Sequence, residues 1–284
     1  MKRLLIVSLL SLASLSSFAA PAGDAFTEIA ATNMDTAALS KRGKSVAESD
    51  EWKWKHGQTE HFVLHFENGI FAAKVARMAE FFYGYIAADL KGAKDQAPGR
   101  SHIFVFRNEK DWKSFKAEFG GSTEWAFSYV EGYMMYLQQA GDIQSSAEVL
   151  GHEMTHLVMN RFLTGHLPTW LNEGLAEWYG EFAYAAHKGV KKSRKTQFRG
   201  LKDPYPLGGL VATETYPKEL KEVHRFYQTS KFLVAFLMLE KSPDKFLPFA
   251  TDLAADIAVE AALEQHYGYA GIGALEADFQ KFIK

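Results

Sequence analysis

The sequence contains no cysteine among its 284 residues. Disulfide bonds and thiolate metal ligands are therefore excluded, so a metal ion in this protein would take histidine and carboxylate ligands. A chain of this length can be stable without cross-links, because it is long enough to bury a large share of its surface. Hydrophobic residues make up 47% of the sequence, which is sufficient for a sizeable core.

The sequence also lacks an excess of positive charge. It has 32 lysines and arginines against 34 acidic residues, which gives a net charge of −2 at pH 7. Nucleic-acid binding usually requires a basic surface, so we expect no nucleic-acid partner. The sequence gives no indication of the oligomeric state.

Long apolar runs are lacking beyond the N-terminus. Lys2 and Arg3 precede an apolar stretch at 4–15, and small residues follow at positions 17 and 19. This order predicts a signal peptide over residues 1–19, removed by cleavage after its last residue. The apolar stretch is short and interrupted by serine, which disfavours a membrane anchor. We therefore expect an exported protein, periplasmic or secreted, with no transmembrane anchor after cleavage.

Composition and periodicity divide the rest of the chain. Residues 20–50 are small and polar, which predicts a flexible arm or a pro-segment. Residues 51–163 combine the apolar–polar alternation of strands with helical periodicity, and residues 164–284 show mostly helical periodicity. We therefore predict an α+β lobe and then a helical lobe within one domain that begins at Glu51.

His152, Glu153 and His156 form the sequence HEMTH, an H-E-x-x-H motif. Histidines four residues apart lie on one face of a helix, where both imidazoles can bind one metal ion. The capping-box spacing of Ser145 and Glu148 predicts that this helix begins at Ser145. Two surface histidines on an amphipathic helix are the alternative interpretation of the motif alone.

A downstream carboxylate supplies the third ligand that a catalytic zinc site requires. Glu173 follows His156 by 17 positions, so a tight turn and a second, antiparallel helix can bring it back to the histidines. Glu177 lies one turn further along the same helix face. We predict that Glu177 accepts a hydrogen bond from a ligand histidine, His152; a solvated carboxylate is the alternative.

These residues resemble the zinc-binding signature of the gluzincin clan of metallopeptidases, most closely its peptidase MA-like families. The H-E-x-x-H motif, the sequence LPTWLNEGLAEW at 167–178 and the sequence FYQTS at 226–230 carry the resemblance, which spans about residues 55–284. It implies a zincin-like, thermolysin-type core. Such a core has a small, twisted, mainly antiparallel sheet beside the active-site helix, followed by a mostly helical lobe.

The resemblance also implies roles for single residues. Glu153 acts as general base in such enzymes, and Tyr227 is nominated as the donor that stabilises the tetrahedral oxyanion, with His224 as the alternative. Residues 134–137 are expected to form the edge strand that pairs with an extended substrate, or else an ordinary core strand. The basic loop at 188–202 is interpreted as a solvated loop, or as one that overhangs the cleft.

Two departures from the family limit the analogy. The spacing to Glu173 is slightly shorter than in thermolysin, which implies a tighter loop between the two helices. The aminopeptidases of the clan read the substrate amine with a glutamate in a Gly-Ala-Met-Glu-Asn strand, whereas residues 131–136 here read EGYMMY. Glu131 precedes the glycine, so we favour an endopeptidase over an aminopeptidase.

The sequence therefore predicts an exported, zinc-dependent peptidase with one Zn²⁺ and a peptide or protein substrate. Two alternatives remain open. One is a zinc amidase acting on cell-wall peptides, which would use the same chemistry. The other is a non-enzymatic scaffold that binds a partner, although a structural zinc site would need no general base at Glu153.

Overall fold

The computed structural model describes residues 26–90, 92–120, 127–139, 141, 143–194 and 198–284, with only the backbone described at 143–146. The predicted signal peptide lies outside this part of the chain. No helix among the described residues is long and apolar enough to cross a membrane.

A mixed six-stranded sheet forms the centre of the first half of the chain, in the order β1-β2-β3-β4-β6-β5. The two central pairings, β3 with β4 and β4 with β6, are parallel, and the other three are antiparallel. The α+β class predicted from the sequence is confirmed. The strands are β1 (Thr27–Ile29), β2 (Lys55–Gln58), β3 (Phe62–Phe66), β4 (Ser101–Phe106), β5 (Ser128–Glu131) and β6 (Met134–Gln138).

Helices make up most of the second half of the chain, with three more between the early strands. The α-helices are α1 (Lys41–Glu48), α2 (Gly69–Ala87), α3 (Glu109–Phe119), α4 (Ile143–Phe162), α5 (Thr169–His187), α6 (Leu207–Val211), α7 (Leu220–Phe236), α8 (Pro243–Ala254), α9 (Val259–Tyr267) and α10 (Ile272–Phe282).

The two faces of the sheet are covered by different helices, because side chains along a strand alternate between faces. Ile103, Val105 and Leu137 belong to the main core, which α2, α4, α5 and α7 complete. Phe104 and Tyr136 point to the opposite face, where an aromatic cluster joins α1 and α3. The H-E-x-x-H motif therefore lies on the face that continues into the helical half.

Residues 26–50 are part of the fold, which corrects the prediction of a flexible arm for this stretch. Strand β1 pairs with β2 at the edge of the sheet. The Ser40 side chain caps α1 by accepting a hydrogen bond from the Gly43 amide at 3.0 Å, and Val46 of α1 is fully buried. Removal of the segment as a pro-peptide stays a prediction.

Helices α4 and α5 cross closely beside the motif. A Cβ atom on Gly180 would lie 3.2 Å from the backbone nitrogen of His152, and one on Gly151 would lie 3.3 Å from the Gly180 carbonyl oxygen. Helix α5 begins at Thr169. Helix α4 begins at Ile143, two residues before the predicted start at Ser145.

Candidate metal centre

Three side chains from α4 and α5 converge on one point. The Nε2 atoms of His152 and His156 are 3.2 Å apart. The Glu173 Oε2 atom lies 3.3 Å from the first and 3.7 Å from the second. These residues form the group of three that could hold a metal ion among the described residues. These three atoms form a triangle. It arises because the two histidines lie one helical turn apart on α4 and because α5 runs back along α4.

The size of the triangle fits a small divalent cation. Nitrogen and oxygen ligands at about 2.0–2.2 Å from a tetrahedral zinc ion lie about 3.3–3.6 Å from one another. The three separations fall in or close to that range. The three ligand atoms are therefore spaced like three of the four ligands of a tetrahedral zinc ion. None of them occupies the fourth position.

The outer nitrogens of both histidines face acceptors. His152 Nδ1 lies 3.3 Å from Glu177 Oε1, and His156 Nδ1 lies 3.0 Å from Asn172 Oδ1. Each contact places the ring hydrogen on Nδ1, which leaves both Nε2 lone pairs directed into the triangle. Two lone pairs and a carboxylate oxygen repel one another unless a proton or a metal cation lies between them. The sequence did not single out Asn172, although it directly precedes Glu173.

The electrostatics of the site also favour positive charge. Burial lowers the pKa of His152, but contacts with the Glu173 and Glu177 carboxylates outweigh this effect and raise it to about 10. Burial raises the pKa of Glu173, but His156, His152 and Tyr216 outweigh this effect and lower it to about 2. Glu173 is only 2% exposed, and its Oε2 atom accepts no hydrogen bond from the described residues. The donor set therefore fits a bound metal ion.

Glu153 lies beside the triangle and is held by a residue from the sheet. Ser128 of β5 donates a hydrogen bond from Oγ to Glu153 Oε1 at 2.9 Å. Of the two expectations for residues 134–137, the edge strand is wrong and the ordinary core strand is confirmed, because β6 lies between β4 and β5. Among the described strands, β5 is the edge strand next to α4, which carries the H-E-x-x-H motif. Sequence spacing gave no signal for Ser128, which is 25 residues from Glu153.

Two stacked tyrosines lie beside the same group. The Tyr227 ring on α7 lies 6.2 Å from the His152 ring. It is nearly parallel to the Tyr216 ring at 6.3 Å. Burial and the nearby Glu173 carboxylate raise the pKa of both phenols, so both remain protonated donors at neutral pH. Tyr216, which the sequence did not single out, donates a hydrogen bond to Glu173 Oε1 at 2.6 Å. The alternative donor His224 is exposed.

Two side chains of the basic loop are anchored to the fold, although most of its described residues are exposed. Lys192 forms an ion pair with Glu181, which lies two helical turns, or about 12 Å, beyond Glu173 along α5. Arg194 pairs with Asp89 and lies over the Trp178 ring at 5.7 Å. These contacts draw the loop toward the far end of α5. They give no support to the expectation that it overhangs the cleft.

No protein-family model matches this sequence, and no curated protein is significantly similar to it. The functional assignment therefore depends on the residues of the site.

Proposed function

We propose that this protein is an exported, zinc-dependent metallopeptidase of the gluzincin type that cleaves internal peptide bonds. The observation that carries the proposal is the triangle of His152 Nε2, His156 Nε2 and Glu173 Oε2, with Glu153 beside it. Two imidazoles and one carboxylate suit zinc among the common divalent metals. Three protein ligands leave one position open, which distinguishes a catalytic site from a structural one.

The three ligands would hold one zinc ion. When bound, zinc supplies Lewis-acid polarisation of the peptide carbonyl and lowers the pKa of a water molecule at the site. Glu177 and Asn172 would keep the two imidazoles in the Nδ1–H tautomer, in which Nε2 is free to bind the ion.

Glu153 is the proposed general base. Its carboxylate would take a proton from the attacking water and deliver it to the leaving amine. Ser128 donates to one carboxylate oxygen, which leaves the other oxygen to receive the proton. The Tyr227 phenol would donate a hydrogen bond to the oxygen that becomes negative in the transition state.

Strand β5 is the proposed docking edge for an extended substrate. It is one of the two outer strands of the described sheet, and its Ser128 contacts Glu153, so a peptide paired with it would run past the general base. Glu131 at the end of β5 forms an ion pair with Arg42 at 3.1 Å. Its carboxylate is therefore engaged and is poorly suited to bind a substrate amine, which favours an endopeptidase.

Cleavage of a diverse peptide mixture, mapped by mass spectrometry, tests the proposal. We expect internal cleavage by the wild-type mature protein and none above background by Glu153→Gln. Glu148→Gln is the matched control, because Glu148 is an exposed glutamate on the same helix. Loss of single N-terminal residues would indicate an aminopeptidase. Cleavage confined to cell-wall peptides would favour the amidase. A folded, zinc-loaded protein that cleaves neither class would favour the binding scaffold.

A further inference from the structure

The hydrogen bond between Tyr216 and Glu173 gives the third ligand two unequal oxygens. Tyr216 donates to Oε1 at 2.6 Å, while Oε2 faces both histidine Nε2 atoms. We infer that Tyr216 is a positioning residue, which restricts Glu173 to one-oxygen metal binding and so keeps the fourth coordination position open. This inference depends on the proposed zinc site.

The alternative to one-oxygen binding is bidentate binding, in which both carboxylate oxygens of Glu173 contact the ion. Such a carboxylate would take up space that water or substrate needs, because a catalytic zinc site works with three protein ligands and an open position. The phenol engages Oε1 in a short hydrogen bond to a charged acceptor, the strong type of hydrogen bond. Turning Oε1 toward the ion would break that bond inside a buried site.

The loop that carries Tyr216 is anchored to α5 by a hydrogen bond two residues before the tyrosine. Tyr216 lies between α6 and α7, and the Thr169 hydroxyl at the start of α5 donates to the Glu214 carbonyl at 3.1 Å. The Tyr216 ring stacks on Tyr227. The helix that carries Glu173 thus also holds the loop that carries its hydrogen-bond donor.

Tyr216 is also open to the outside of the site. The residue is 49% exposed, although its hydroxyl contacts a carboxylate that is almost fully buried. Replacement by phenylalanine removes one oxygen and keeps the ring that stacks on Tyr227. Tyr216→Phe is therefore expected to fold, although loss of a hydrogen bond to a buried carboxylate should lower its melting temperature without metal by a few degrees.

Metal binding by Tyr216→Phe tests the inference without reference to peptide cleavage. We expect zinc affinity, measured by competition with a chromogenic chelator, to fall about 10- to 100-fold. We also expect the visible absorption bands of the cobalt-substituted variant to weaken, because these bands lose intensity when a four-coordinate ion gains a ligand. Tyr205→Phe is the matched control. Tyr205 precedes α6 in the chain, and its ring packs on Phe226.

The outcomes separate this inference from the proposed function. Zinc affinity within twofold of the wild type and an unchanged cobalt spectrum in Tyr216→Phe would overturn the role of Tyr216 alone. Failure of the wild-type protein to bind zinc or cobalt would overturn the proposed metal site as well. Equal losses of affinity in Tyr216→Phe and Tyr205→Phe would show a general effect of the substitutions and would also contradict the inference.

Discussion

Tyr227 and His224 compete for one chemical role, and their surroundings distinguish them. The Tyr227 ring lies close to the ring of ligand His152, whereas His224 is exposed one helical turn earlier. A group that stabilises a developing oxyanion has to lie within hydrogen-bond reach of the reacting carbonyl. The geometry therefore favours Tyr227.

We predict that Tyr227→Phe lowers kcat about 100-fold and changes KM little, because the lost hydrogen bond forms mainly in the transition state. Steady-state kinetics on one mapped peptide would measure both constants. His224→Gln serves as the control and should retain near wild-type kcat. An unchanged kcat in Tyr227→Phe, or a large loss in His224→Gln, would contradict this assignment.

What the sequence reveals about single residues depends on how local their contacts are. His152, His156 and Glu177 could be placed because helical spacing fixes which side chains share a face. Ser128 and Tyr216 reach Glu153 and Glu173 across 25 and 43 residues of chain. No spacing rule relates such positions, so these two contacts became visible only in the folded structure.

Helices α5 and α7 approach each other at Gly174, next to the third ligand. A Cβ atom at this position would lie 2.6 Å from the Ser230 carbonyl oxygen. The neighbouring atom belongs to a helix backbone, which cannot rotate away as a flexible side chain can. Glycine therefore permits the close packing of the two helices that carry Glu173 and Tyr227.

We predict that Gly174→Ala lowers the free energy of unfolding by about 1–3 kcal/mol, because the added methyl group forces α5 and α7 apart. Urea denaturation would measure the loss. Gly84→Ala in α2 is the matched control, since no heavy atom lies within 4 Å of its added Cβ. Higher helix propensity should make that variant as stable as the wild type or more stable. Equal stability of the two variants would contradict the prediction.

Three strands carry a buried chain of histidines on the sheet face opposite the metal centre. His56 Nδ1 lies 3.1 Å from His65 Nδ1, and His65 Nε2 lies 3.0 Å from His102 Nδ1. Burial, with repulsion from its two neighbours, lowers the pKa of His65 well below 6.5. Burial also lowers the pKa of His102 to about 4, although Asp35 opposes the shift.

We predict that this chain makes the fold sensitive to acid. Below about pH 6.5 the unfolded protein takes up protons on these histidines, while folded His102 stays neutral until about pH 4. The free energy of unfolding therefore falls as the pH falls between these values. For His102 alone, the loss between pH 7 and pH 5 is roughly 2 kcal/mol.

Urea denaturation at both pH values, on wild type and His102→Gln, would test this acid sensitivity. The variant should lose roughly 2 kcal/mol less than the wild type between pH 7 and pH 5. His166→Gln, a change at an exposed loop histidine, should behave like the wild type. Equal losses in wild type and His102→Gln would contradict the prediction.

In the molecule as a whole, the candidate metal centre joins both halves of the chain. Ser128 and the motif come from the sheet half, whereas Glu173, Tyr216 and Tyr227 come from the helical half. Periodicity predicted this division, but not the order of the strands or the incorporation of residues 26–50. Strand order depends on contacts between distant segments, and a polar composition did not reveal that Val46 would be fully buried.

In the proposed function, one zinc ion held by His152, His156 and Glu173 supports hydrolysis assisted by Glu153. The most direct test is to titrate zinc into metal-depleted protein while following cleavage of one mapped peptide. We predict that activity rises linearly to one equivalent of zinc and then stops, whereas Glu153→Gln binds the same equivalent and cleaves nothing. Full cleavage by metal-depleted protein, or by Glu153→Gln, would contradict the proposed zinc-dependent mechanism.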